Sequence, residues 1–156
     1  MSNVQSKTIF NSSLETGVRT LIVLVASHPV SLDLKRLIDF DYLVVHSGDV
    51  EGPESLHPPI PMREGEMLVR RNVVESGLML MMSRGLVERV VTDHGMKYRA
   101  SDTAMPFINC LTVPYILELR DRADWVIGMF GQCSEAEVNG IISRFFDKWA
   151  SEFQSQ

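Results

Sequence analysis

The sequence predicts a mainly α-helical fold with a small β wing: a winged helix-turn-helix with a long loop insertion and a helical C-terminal extension. Apolar residues recur at helical spacing over most of the chain. Two alternating stretches flank the turn-forming pair His94-Gly95, and a proline- and glycine-rich run interrupts the helical pattern after His46. The winged-helix unit is expected over residues 1–112, with the insertion at 47–65. The extension is expected over residues 113–156, packed on that unit or on a partner.

Each element has its own signal. Ser12 and Glu15 have capping-box spacing, after which Leu14, Val18, Leu21, Ile22 and Val25 mark a helix that Pro29 stops. Ser31 is placed to cap a second helix, carried by Leu34, Leu37, Ile38 and Tyr42 or Leu43 to about Val45 or His46. Between Ser47 and Gly65, four prolines and three glycines exclude a regular helix or an inner strand. A loop this long in a compact domain usually binds something or is disordered, and Val50, Leu56, Ile60 and Met62 give it apolar anchors that argue for packing. A third helix is expected from about Glu66 to Arg84, capped by Gly85. Met67, Val74, Leu78 and Met81 form its buried face, widened by Val69, Val73 and Leu80. In the wing, Val87, Arg89 and Val91 alternate with Glu88, Val90 and Thr92; Asp93-His94-Gly95 turns the chain; Met96, Tyr98 and Ala100 alternate with Lys97 and Arg99. Three further helices are expected: about Asp102 to Leu111, Pro114 to Phe130, and one from Ser134, whose partner Glu137 completes a second capping box. The last places Val138, Ile141, Ile142, Phe145, Trp149 and Phe153 near one stripe, a face that needs its own core or another chain to cover it.

Composition narrows the function classes. The chain has 156 residues, 45% of them apolar and 22% charged, which suits a globular domain with a real core. The longest apolar run, Leu21 to Ala26, is far short of the roughly 20 residues a membrane span needs, and no secretory signal is visible, so a cytoplasmic protein is expected. Cys110 and Cys133 have no ligand spacing and read as buried free thiols. The four histidines are scattered, and although His46, Asp49, Glu51, Glu54 and His57 crowd one stretch, loop architecture uses the same residues. No phosphate loop, nucleophile elbow or dinucleotide fingerprint occurs. No catalytic residue, cofactor or metal is therefore expected.

Charge bears on nucleic acid. With 15 basic against 20 acidic residues the formal charge is -5, the wrong sign for a protein held to DNA by counterion release. The expected solvent row of the third helix is Arg71, Glu75, Met79 and Met82, with Arg71 and Glu75 at ion-pair spacing. Exposed methionine at such positions is either core or an adaptable protein-binding face. Arg70, Arg71, Lys97 and Arg99 could form a small phosphate-touching patch; solvated surface is the plainer reading of those four.

Four stretches, "FNSSLETGVRTLIVL", "DYLVVHSGDVEGPESLHPP", "GEMLVRRNVVESGLMLMMSRGLVER" and "KYRASDTAMPFINCLTVPY", resemble the middle component (type 2) of ABC-three-component systems. Most specific is the run from Asp41 to Pro59, similar to the family's Asp-Tyr-Leu-x-Val-His-Ser-Gly-Asp followed by Gly-Pro-x-Ser-Leu-His-Pro. The resemblance implies the small accessory subunit of Lamassu-type anti-phage defence, encoded beside an SMC/Rad50-like ATPase and commonly an effector such as a nuclease. Such a subunit is a non-catalytic adaptor, touching DNA, if at all, through the complex. On that reading the partner-facing residues are Tyr42, His46, Asp49, Pro53, Leu56 and His57 around the loop, with Met79 and Met82 on the third helix. The alternative is a DNA-binding winged-helix transcriptional regulator.

Overall fold

The computed structural model describes the backbone of residues 12–58 and 64–154, and the side chains of residues 12–58 and 67–148. The elements are α1 (Ser13–Ser27), α2 (Leu34–Val45), a 3-10 turn (Ser47–Val50), α3 (Glu64–Ser83), β1 (Val87–Thr92), β2 (Gly95–Ala100), α4 (Ala104–Asn109), α5 (Pro114–Phe130) and α6 (Glu135–Gln154). The fold is mainly helical with one two-stranded antiparallel sheet among the described residues. No helix there is long and apolar enough to cross a membrane.

Local signals set most boundaries. The Ser12 hydroxyl accepts from the Glu15 N–H at 3.2 Å, but the Glu15 carboxylate turns away to Tyr115 and Arg19. At Ser134 the box closes both ways, each bond 3.1 Å. The cap of α2 is Asp33, accepting from the Arg36 N–H at 2.9 Å, and not Ser31. The reason is tertiary: Leu32 is held extended by a bridge to Tyr98, so the helix cannot begin earlier. Helix α3 ends in a Schellman arrangement, Gly85 at φ 72° with its N–H on the Met82 carbonyl and the Leu86 N–H on the Met81 carbonyl. Helix α4 is shorter than expected, because the Ser101 and Thr103 hydroxyls bond the Gly85 carbonyl and hold the preceding turn.

Helices α1 and α3 cross at a contact between glycines. A Cβ on Gly77 would lie 2.6 Å from the Gly17 nitrogen, and one on Gly17 would lie 2.9 Å from the Gly77 carbonyl oxygen. Only two hydrogen side chains allow backbones this close. Around that crossing Leu21, Leu24, Leu37, Phe40, Leu43, Val74 and Leu78 form a core in which each is at most 1% exposed. Residues of the expected extension share it: Leu119, Ala123, Val126, Phe130, Val138 and Ile142 are buried in the same cluster. Arg36 ties them down, its Nη2 donating to the carbonyls of Phe130, Gly131 and Cys133 at the C-terminal end of α5. Of the stripe expected on α6, Ile141 and Phe145 are half-buried, while the side chains of Trp149 and Phe153 lie outside the described residues.

The two alternating stretches form the expected hairpin, pairing Val87 with Ala100 through Thr92 with Gly95, so that Asp93 and His94 make the turn and Gly95 already belongs to β2. Several side-chain expectations fail, among them Val69, placed on the buried face of the third helix but 61% exposed. Cys110 is exposed and Cys133 only half-buried, both as free thiols, because they follow the helical core rather than point into it. Arg71 and Glu75 form no ion pair among the described residues, both standing in solvent where the gain is small.

Candidate functional site

The stretch from Asp41 to His57 folds into a compact knot, buried as far as Ser47 and partly exposed beyond it, and a buried ionic cluster anchors it. Arg19, in the apolar run of α1, grips Asp41 of α2 with two bonds, Nε to Oδ1 at 2.9 Å and Nη2 to Oδ2 at 3.1 Å. Arg70 of α3 adds Nη1 to Oδ2 at 2.5 Å. Burial alone would raise the Asp41 pKa, but the two guanidinium groups outweigh it and hold the carboxyl at about 2. Arg19 is likewise pushed up: burial opposes its charge, and Asp41 more than restores it. A chain of contacts leads outward. Glu15 lies 3.7 Å from Arg19 and accepts from the Tyr115 hydroxyl at 3.2 Å, and that hydroxyl sits 2.6 Å from His57 Nε2. Burial and then the Glu15 charge raise Tyr115 to about 12, so it stays a phenol.

The loop closes over this cluster with backbone bonds. The Val45 carbonyl, left open at the end of α2, accepts from the N–H groups of both Leu56 and His57 at 3.0 Å. The Ser47 hydroxyl donates to the Pro53 carbonyl at 2.8 Å, and the Gly48 N–H donates to the Ser55 hydroxyl at 2.9 Å. Tyr42 donates to Asp49 at 2.7 Å. Gly52 lies flat on Trp125 of α5, where a Cβ would come within 2.3 Å of the indole. The loop, expected to pack through apolar anchors, is as far as His57 a turn of 3-10 helix and a clasp, with Val50 and Leu56 against the core. Ile60 and Met62, two of its expected anchors, lie outside the described residues.

The expected contact residues divide by depth. Tyr42 is 0% and His46 2% exposed, so neither reaches a partner in this conformation. They are large, partly apolar rings at the end of a buried helix, and the core takes them; their centroids lie 5.0 Å apart. Burial, then the nearby Arg70, pushes His46 down to about 4, and burial, then Arg19, does the same to His57. Asp49, Pro53, Leu56 and His57 are half-buried. Met79 is 63% exposed, whereas Met82 packs partly on the core. Among the residues expected near phosphate, Arg70 is committed to Asp41 and stacks over the Tyr42 ring at 5.6 Å. Arg99 pairs with Glu88 at 3.0 Å, and Arg71 and Lys97 are exposed and half-buried, respectively.

Sequence reasoning missed Arg19, Tyr115 and Trp125. Arg19 alone had a local signal: it is the one cation in an otherwise apolar stretch from Val18 to Ala26. Two open features flank the knot. A cleft of 560 Å³ lies between the 3-10 turn and α6, with Asp49 and Glu51 facing Arg144 and Lys148 over Val50, Ile141 and Phe145. An apolar groove of 520 Å³ runs between α1 and α5, walled by Leu14, Val18, Phe107, Leu111, Ile116 and Leu119. No group of histidine, cysteine and carboxylate side chains among the described residues is arranged to hold a metal ion.

Among the described residues, buried charges and backbone bonds hold this stretch in place. Comparison with known proteins agrees with the motif that builds the knot. The family model for the middle component 2 of the ABC-three-component (ABC-3C) systems matches residues 9–152. No curated protein and no solved structure matches the chain. With the family match running from before α1 to near the end of α6, the chain belongs to the ABC-three-component system middle component 2 family.

Proposed function

We propose that this chain is a non-catalytic adaptor of a Lamassu-type anti-phage complex, a winged-helix subunit that docks an SMC/Rad50-like ATPase and positions or restrains an effector such as a nuclease. Membership of a three-component family supports work alongside other subunits. The order α1, α2, α3, β1, β2 supports the winged-helix reading.

The solvent face of α3 carries the proposal. A DNA-reading winged helix presents cations and amides there. Here Leu68, Val69 and Met79 are 63, 61 and 63% exposed, and the exposed cation Arg71 shares the face with the carboxylate Glu75. Apolar side chains of this size, on a chain of net charge -5, suit a protein surface and not a phosphate backbone. In this reading Met79, Pro53 and the outer edges of Asp49 and Leu56 touch the partner. Tyr42, His46 and His57 hold that surface from beneath, and Met82 sits at its margin.

The test is co-expression of a Leu68→Asp, Met79→Asp double variant with the other components. Loss of co-purification with an unchanged melting temperature of the isolated chain is expected. Recovery of the complex at wild-type yield would count against α3 as the docking face. The regulator alternative expects Arg71→Ala or Lys97→Ala to weaken DNA binding by the isolated chain and reduce its salt dependence; the adaptor reading expects little binding to weaken.

A further inference from the structure

The hairpin has one edge in use and one open. On the used edge, Leu32 and Tyr98 exchange both backbone bonds, at 2.9 and 2.8 Å. Tyr98 therefore directs its N–H and C=O away from β1. In an antiparallel pair the residue opposite must do the same, so Arg89 directs its own groups away from β2. The period of two gives Val91 the same orientation. Among the described residues no backbone group meets the outward N–H and C=O of Arg89 and Val91.

Edge strands are ordinarily blunted by a proline, a bulge, a lysine or a covering element. Strand β1 pairs with β2 residue for residue from Val87 to Thr92, so it has no bulge, and its sequence VERVVT holds neither proline nor lysine. Beside the open edge, Val91 is 79% and Met96 42% exposed, paired across the same face. Arg89 shares that face and forms no ion pair among the described residues, while Glu88 on the other face is already taken by Arg99.

We propose that the outer edge of β1 accepts an extended segment from another component of the system, added as a further strand, with a carboxylate beside Arg89 and apolar residues against Val91 and Met96. Backbone bonds supply the binding and the side-chain alternation supplies the choice of segment. A second copy of this chain does not meet those terms. Two-fold pairing of β1 with itself sets Arg89 opposite Val87, Arg89 or Val91 of the copy, never opposite a carboxylate within the strand. A phosphate backbone offers no alternating donors and acceptors. The inference rests on the adaptor reading.

The test is residue-resolved amide exchange on the free chain and on the complex assembled with its co-expressed components. The Arg89 and Val91 amides are expected to slow about tenfold or more on assembly, with little change at Glu88 and Val90, whose amides already face β2. Val91→Pro removes an outward donor and an exposed side chain but no bond to β2, so the isolated variant should keep the wild-type circular dichroism and melting temperature and lose assembly. Unslowed Arg89 and Val91 amides in an intact complex, or wild-type assembly by the proline variant, overturn this inference alone. Failure of the wild-type chain to assemble overturns the adaptor reading and this inference with it.

Discussion

Arg19 and Asp41, 22 residues apart in sequence, meet through two hydrogen bonds in the core, their side chains 3 and 1% exposed. The pair joins α1 to α2, and Arg70 draws α3 onto the same carboxylate. Breaking a buried pair from one side strands the remaining charges, typically at a cost of about 3–5 kcal/mol. Asp41→Asn, which keeps the shape and removes the charge, should lower the denaturant midpoint accordingly. A loss below about 1 kcal/mol would mean that water reaches the cluster.

The two loop histidines should make the fold sensitive to mild acid. His46 is buried and His57 half-buried, and both are held at about 4, below the ordinary 6.5. A depressed folded pKa means that the unfolded chain binds protons first. The histidines' contribution is thus fully present above pH 6.5 and is lost as pH falls through about 4. Burial raises Glu15, Asp39 and Asp49, whose contributions run the other way, being present at low pH and lost as pH rises. The difference between wild type and a His46→Gln, His57→Gln double variant isolates the histidines. Between pH 7 and pH 4.5 the wild type should lose more stability than the variant, by an amount on the order of 1–3 kcal/mol. Parallel pH profiles would show that the histidines titrate in the fold as they do in the unfolded chain.

Glycine to alanine should have opposite signs at two helical positions. At Gly77 a Cβ meets the backbone of α1 at 2.6 Å, so Gly77→Ala should destabilise by about 1–3 kcal/mol, measured in urea. At Gly140, in α6, a Cβ meets nothing within 4 Å, and Gly140→Ala should stabilise by about 0.5–1 kcal/mol. Stabilisation at both would mean that α1 and α3 do not cross at their glycines.

What the sequence could reveal was decided by range. Ser12, Ser134, Gly85 and the hairpin turn between Thr92 and Gly95 act on neighbours within a few residues, so their roles were legible from spacing alone. The depth of Tyr42, His46 and Arg70 was not, because it depends on partners far along the chain; Arg70 and Asp41 are 29 residues apart. The Asp41–His57 motif was recognisable as a pattern, but spacing did not show that Tyr42 and His46 lie in the core while Asp49, Pro53, Leu56 and His57 are half-buried. Its polar residues bond one another and the end of α2, which is chemistry that spacing shares with an exposed loop. Gly17 and Gly77 gave no signal, since each looks alone like an ordinary weak point in a helix.

Docking residues and supporting residues should part in their variants. Met79→Asp acts on a side chain 63% exposed and should leave the isolated chain's melting temperature within about 1–2 °C of wild type while reducing assembly. Tyr42→Phe removes a 2.7 Å bond to Asp49 and should cost about 1 kcal/mol of stability first, with any loss of assembly following from it. If Met79→Asp melts like Tyr42→Phe, the methionine is structural and the α3 face is not a docking surface.

An adaptor of the kind proposed works by binding other proteins and not DNA. The most direct measurement is affinity purification of the tagged full chain, co-expressed with its neighbouring components at roughly physiological salt, with bound proteins weighed and bound DNA assayed. A large SMC-like ATPase should be retained in fixed ratio, and no specific DNA should be retained by the chain alone. Recovery of the chain without protein partners, but with a specific DNA sequence, would contradict the proposal.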